Sequence, residues 1–454
     1  MLKTNADEGL KRVIGVRGLA ATIVNFSIGV GFNAVPAIIC IQLGAAGIIG
    51  YVLCALMFAA IILCYVEIGS RVKTTGGSYA YVEAAFGPFA GFIINWLFFF
   101  GWGILGDAAV INLVADSLSV VFPPLANAVE RALLFSFLLG GMVLINIFNT
   151  KKSIRFITVI TVIKLVPLLG IVVFGMGYMQ AANLRIDHLP SLRSFGETAL
   201  ILFFACAGFE SSLSVSGEIK DPNRTIPRGL LWGVGIVFLL YMLIQTTVQG
   251  VLGSHAIEFK DAPLAAVAEK IMGTAGIVIL LFATAVSGLG SINGDILASP
   301  RLLFAGAKDG LFPAILGNVH PRYGTPYWAI ITYTTLIFIF SLSGGFKQLA
   351  VLASGALLII YLAVVLAMVK FRLKRSETPG KTFMVKGGLI IPFVAIASIL
   401  YVLSNLSRQE VLSLVIFIAI ISILHFIIRK RKNRPAENAI KSAGDALNTI
   451  KAVV

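Results

Sequence analysis

Phe203-Phe204-Ala205-Cys206-Ala207-Gly208-Phe209-Glu210-Ser211-Ser212 sets a glycine and a carboxylate inside a stretch otherwise apolar enough to cross a membrane. A charge at the bilayer centre costs roughly 2.5–3.5 kcal/mol on insertion scales, so its presence there needs a reason. The rest of the chain supplies the setting. Of its 454 residues 58% are apolar and 13% charged, with a mean hydropathy of +0.94. A soluble protein of this length carries far more charge on its surface. Runs near the 20 or so residues that span a bilayer fall at 18–44, 45–68, 90–118, 132–149, 156–179, 196–217, 228–252, 272–299, 326–343, 346–369, 388–405 and 411–428. The first is too long, and followed by too many others, to be a cleaved signal peptide. These runs predict an all-α membrane protein with 12 transmembrane helices in a single domain, 18–430, between a cytoplasmic N-terminus, 1–17, and a basic tail, 431–454.

The net charge of +15 reports topology. With the N-terminus placed in the cytoplasm, 28 of the 36 Lys and Arg residues fall in cytoplasmic segments. Seven lie outside (Arg131, Arg185, Arg193, Lys260, Lys270, Lys347 and Arg408), and Lys164 falls within a span. That asymmetry puts both termini in the cytoplasm, with anionic membrane lipid as a partner for the basic segments and nucleic acid excluded. Cys40, Cys54, Cys64 and Cys206 all lie in spans without a CxxC or a Cys/His cluster, so neither a disulfide framework nor a metal site is expected. No P-loop, nucleophile elbow or nucleophile–base constellation is present, which leaves no cofactor and no enzyme chemistry to assign.

The spans are interrupted in two places. Ser27-Ile28-Gly29-Val30-Gly31, followed by Pro36, breaks the first; Phe204 through Glu210 breaks the sixth. Each glycine lowers helix stability by about 1 kcal/mol, and non-helical backbone at this depth is tolerated only inside protein or along a cavity. Secondary transporters use such breaks to hold ions at helix ends. Glycines also merely permit close helix packing, but two interrupted spans five apart mark the starts of two possible five-span repeats.

Four further stretches carry a resemblance. They are Tyr65-Val-Glu67-Ile-Gly-Ser-Arg71 through Gly76-Gly77-Ser78-Tyr79 to Phe86-Gly87-Pro88; Gly208-Phe-Glu210 through Glu218-Ile-Lys220-Asp-Pro222 to Pro227-Arg228; Ala262-Pro263-Leu264; and Ser291-Ile-Asn293 with Arg301 and Lys308-Asp309-Gly310 to Pro313. In this order they resemble the amino acid–polyamine–organocation permeases, over nearly the whole chain. The resemblance implies an inverted five-helix repeat with broken helices 1 and 6. The repeats cover about 18–179 and 196–369, and two further helices cover about 388–428. It also implies alternating access and a substrate site between the breaks. There the substrate's carboxylate meets backbone N–H groups around Ile28, Val30 and Gly31, and its ammonium meets carbonyls of Ser27, Phe204 and Ala207. Phe203 or Phe204 covers it as a lid, with core packing the other reading for both. Ser354 in span ten is a further pocket candidate.

Four ionisable residues stand inside spans. Family members without sodium dependence place a lysine where Lys164 stands, its ammonium in the position of a sodium ion. Desolvation works against that charge, so Lys164 either loses a proton during transport or props the first-span carbonyls throughout. Glu210 matches an acidic residue assigned to gating or proton handling; a structural hydrogen bond is the alternative. Asp107 stands where some members hold the substrate's side chain through an asparagine, and Asp295 at a second pocket position. Two carboxylates there suit a cationic side chain or a diamine; alternatively Asp107 is a structural partner and Asp295 faces a vestibule with Arg301. Cys206 and Val30 depart from the family's usual residues, which affects pocket size. His188, His255 and His320 read as solvated loop residues.

The expectation is therefore a sodium-independent secondary active transporter of amino acids or related amines in the cell (inner) membrane. Its further partners are protons or a counter-substrate, and it is a monomer or homodimer. Cationic amino acids or polyamines are one substrate class and neutral amino acids the alternative. A non-transporting amino acid sensor in the same fold is a different-class reading, against which the short termini argue.

Overall fold

The computed structural model describes residues 14–29, 31–72, 76–148, 164–186, 189–213, 219–259, 262–308, 312–373, 384–385 and 387–427, without the side chains of Asn33, Ala34 and Ala305. The described residues fold as helices with no strand, apart from one isolated bridge between Ile14 and Ile219. In chain order the helices are α1 Val16–Ser27, α2 Gly31–Leu43, α3 Gly47–Arg71, α4 Ser78–Phe86, α5 Pro88–Ser119, α6 Ala128–Phe148 and α7 Lys164–Tyr178. There follow α8 Leu192–Cys206, α9 Phe209–Leu213, α10 Pro222–Leu252, α11 Pro263–Met272, α12 Thr274–Ala298, α13 Pro300–Lys308, α14 Tyr327–Ser341, α15 Phe346–Leu373, α16 Ile390–Leu403 and α17 Arg408–Ile427. Proline opens α5, α10 and α11 within their first turn, where its missing N–H costs nothing.

Seven continuous helical stretches are long and apolar enough to cross a bilayer: Val35–Arg71, Pro88–Ser119, Ala128–Phe148, Pro222–Phe259, Thr274–Lys308, Phe346–Leu373 and Arg408–Ile427. Lys164–Tyr178, Tyr327–Ser341 and Ile390–Leu403 are shorter apolar helices. The expected first span, 18–44, is two helices, because the chain leaves helical geometry at Ile28 and Gly29. The expected sixth span breaks likewise between α8 and α9. Residues 156–163 of the fifth span, and both chain ends, lie outside the described residues. Large apolar side chains face outward from many of these helices, among them Leu133, Phe137, Trp232, Phe282, Ile390 and Phe393. A surface this apolar is unsuited to water and suited to lipid.

Inside, α1 lies against α10. Gly229 and Gly233 open that contact: a Cβ at either would stand 2.6 Å from Leu19 or 2.8 Å from Ile23. This is the small-residue spacing that lets membrane helices approach closely. α2 packs on α8 and α1 on α9, so the two broken segments meet side by side.

A buried ion cluster ties α3 to α15. Glu67, fully buried on α3, accepts from Arg71 at 3.0 Å and from Arg372 of α15 at 2.7 Å. The Val385 N–H donates to the same carboxylate at 3.1 Å, and Arg372 donates to the Val385 carbonyl at 3.1 Å.

α5 contains a π-helical stretch, Leu97–Ile104, before Leu105–Ser119 continues as ordinary α-helix. Such turns insert one residue into a helix and recur at functional sites.

Candidate functional site

The two breaks open on one cleft, lined from both of them and from α5 and α12. α1 ends at Ser27, where the Ile28 N–H still reaches the Val24 carbonyl at 3.0 Å. The chain then passes Gly29 into α2, whose first residue, Gly31, lines the cleft. Opposite, the Ala207 N–H closes the last turn of α8 on the Phe203 carbonyl at 3.1 Å, and Gly208 turns the chain with φ of 119°. Only glycine takes that φ without strain. A Cβ there would also stand 2.8–2.9 Å from the backbone of Phe26 and Ser27, so the two breaks touch main chain to main chain.

Around this contact stand Phe26, Ser27, Gly29 and Gly31 from the first break and Phe204, Ala205, Ala207, Gly208 and Ser211 from the second. α5 contributes Trp102, Gly106, Asp107 and Val110, and α12 contributes Ser291 and Asp295. One wall is aromatic: the Phe204 ring meets Trp102 edge-on at 5.6 Å and Phe346 at 5.8 Å. The facing wall is acidic. The Asp107 and Asp295 carboxyls lie within hydrogen-bonding range of each other, and the Tyr333 hydroxyl of α14 donates to Asp107 at 3.0 Å. Among the described residues neither is paired with a lysine or arginine. The buried Ser27 hydroxyl has no hydrogen-bond partner among the described residues, and its carbonyl accepts from Tyr241 at 3.1 Å.

Lys164, buried at the start of α7, donates to the Asn25 carbonyl at 2.8 Å and to that of Ile28 at 2.6 Å. An ammonium there satisfies carbonyls that a helix end leaves open and has the sign the helix dipole favours.

Of the residues singled out from sequence, Ser27, Gly31, Asp107, Phe204, Ala207 and Asp295 line the cleft, and Val30 lies outside the described residues. Ile28 turns its side chain into the core and offers its carbonyl to Lys164. Phe203 does not line the cleft; it packs on Phe58 with ring centres 4.4 Å apart, the core-packing alternative. Ser354 also stands apart, donating to the Leu200 carbonyl at 2.8 Å. Glu210 is buried behind the break: its two oxygens accept the Gly208 N–H at 3.0 and 3.1 Å, and one accepts the Tyr361 hydroxyl at 3.0 Å. It is therefore held by hydrogen bonds and does not border the cleft. Asp295 faces Asp107, and the Nη1 of Arg301 donates to the Leu297 carbonyl.

Sequence reading missed Trp102, Ser291, Tyr241 and Tyr333. A signal for Ser291 existed, since Ser287, Ser291 and Asp295 recur every four residues on one face of α12. The Ser287 hydroxyl reaches the Gly29 carbonyl at 3.4 Å. Trp102 had no such signal, because it sits in the π-helical stretch.

A family model of amino acid permeases matches residues 14–426. Among curated relatives, a serine/threonine exchanger of Bacillus subtilis is 27% identical over 90% of this chain and 94% of its own. A branched-chain amino acid permease of the same organism is 23% identical over 95% and 96%. A methylthioribose transporter, also from Bacillus subtilis, is 25% identical over 86% and 87%. All three are transporters by name and none an enzyme.

Proposed function

This chain belongs to the amino acid permease family, a family of multi-pass membrane transporters of amino acids, and from that premise we propose a sodium-independent secondary active transporter that favours amines with a cationic side chain. The observation that carries the reading is the pair of helix breaks opening on one cleft, with the Lys164 ammonium on the carbonyls of the first. A zwitterion entering a dry site needs both charges met, and paired helix ends offer donors and acceptors without fixed charge. The substrate's α-carboxylate meets the start of α2 around Val30 and Gly31. Its ammonium meets Ser27, Phe204 and Ala207. Phe204 covers the bound molecule, and Asp107 with Asp295 receives a distal positive group.

The scaffold proposed with this reading has twelve helices in one domain, 18–430, with inverted repeats at about 18–179 and 196–369 and both termini in the cytoplasm of an inner-membrane protein. Lys164 occupies the place of a coupling cation, and transport is proton-coupled or by exchange.

A neutral amino acid is the second reading, favoured by what the names of two relatives state for those proteins. Uptake into proteoliposomes of lysine, arginine, ornithine, putrescine, serine and leucine, with and without a pH gradient, separates the two. Competition by the cationic compounds supports the first reading. If all four fail to compete while serine or leucine accumulates, the neutral reading stands in its place.

A further inference from the structure

The acidic wall of the cleft consists of two carboxyls that touch, so it does not provide two independent positions for positive charge. Asp107 comes from α5 and Asp295 from α12; both border the cleft, and each reaches the other's carboxyl group. Tyr333 of α14 fixes Asp107 by donating to one of its oxygens at 3.0 Å. Glu210 of α9 feels the Asp295 carboxyl at longer range, and among the described residues no lysine, arginine or histidine forms an ion pair with either aspartate.

Two carboxyl groups in contact cannot both stay ionised with nothing between them. A single proton satisfies the pair, and so does a single ammonium. The cleft opens directly onto the pair.

We infer that Asp107 and Asp295, oriented by Tyr333, form one single-charge position at which the distal ammonium of a cationic substrate and a proton are alternative occupants. The inference rests on the transport reading above and adds a rule to it. A neutral amino acid occupies the cleft with a proton on the pair; a cationic one occupies it in place of that proton. The loaded cleft then carries the same charge for both substrate classes, and one conformational cycle serves them with different proton stoichiometry. A diamine places only one of its two ammoniums at the pair, the other remaining at the helix breaks.

The test counts protons on binding. Titration calorimetry of the purified full-length protein, in two buffers of different ionisation enthalpy, measures protons released per ligand bound. Lysine and putrescine are expected to release about one proton each, and serine and leucine none, since the former displace the proton that the pair shares. Asp295→Asn, which leaves no second carboxyl, is expected to abolish the release on lysine binding. Equal proton counts for lysine and serine in the unaltered protein overturn the inference without touching the transport reading. Unchanged release in Asp295→Asn overturns it as well. Absence of binding by all four ligands overturns the transport reading, and the inference falls with it.

Discussion

The Lys164 ammonium bridges the carbonyls of Asn25 and Ile28, at 2.8 and 2.6 Å, tying the start of α7 to the end of α1. The bond pair spans the point at which α1 stops being helical. Removing the ammonium takes its donor from the buried Ile28 carbonyl, at a cost of about 1–3 kcal/mol. Lys164→Ala is expected to reduce uptake into proteoliposomes by tenfold or more, and the remaining uptake is expected to ignore an imposed pH gradient. An unaltered response to the gradient removes Lys164 from coupling and leaves it a purely structural tie.

Gly208 and Gly29 make a matched comparison, since each stands at a break. Gly208→Ala forces a side chain into φ of 119° and against the Phe26–Ser27 backbone at 2.8–2.9 Å. Strain of that kind costs about 1–3 kcal/mol before any clash is counted. Gly29 has only the Ser291 hydroxyl within reach of an added Cβ, at 4.0 Å. Thermal unfolding in detergent should therefore fall by several degrees for Gly208→Ala. Gly29→Ala should unfold as the parent does but show a raised KM, because the methyl enters the cleft.

Glu210→Gln keeps the side chain's shape and turns one of its two acceptors into a donor. The Gly208 N–H uses both oxygens and Tyr361 one of them, so one of these donors then faces another donor. A loss of about 1–3 kcal/mol in stability is expected, read as a lower unfolding temperature together with weaker uptake. Full stability with lost proton coupling instead marks Glu210 as a proton carrier and not a brace.

The Glu67 cluster predicts a non-additive pair. Arg372→Met leaves the buried carboxylate with Arg71 as its remaining cation and is expected to cost about 3 kcal/mol, the lower end for breaking a buried ion pair. Glu67→Gln removes the carboxylate charge that both arginines share. The double variant should be less destabilised than the two losses added together, and the deficit of Arg372→Met should persist in high salt because the pair is out of reach of screening ions. Simple additivity, or a deficit erased by salt, contradicts a buried pair.

Much of this was legible in the residues, and the shortfalls have physical reasons. Composition fixes the helical membrane class, because an apolar chain without water must satisfy its backbone internally. The breaks were legible as glycines at membrane depth, and the structure divides the chain at both. Hydropathy alone drew 18–44 as one run, since a chain that stops being helical between apolar residues keeps its apolar signal. Of the residues that line the cleft, Ser27, Gly31, Phe204, Ala207 and the two aspartates were singled out from the sequence. Phe203 was not separable from Phe204, because adjacent helical residues point about 100° apart and nothing local says which faces the cleft. Ser354 and Glu210 look like ligands for the same reason that they make good braces: each is a polar group at a depth where it must find a partner.

The π-helical stretch in α5 has a consequence for how the cleft is walled. Side chains five positions apart on an unbroken α-helix point about 140° away from each other. Trp102 and Asp107 are five apart, yet both border the same space. The widened turn brings them into phase, so that an indole and a carboxylate act as neighbouring panels of one wall. α5 is thus two rods spliced out of register, one aligned to its packing partners and one to the substrate space. Shortening Leu97–Ile104 by a single residue would straighten the rod, and the wall would come apart although every residue that built it remained.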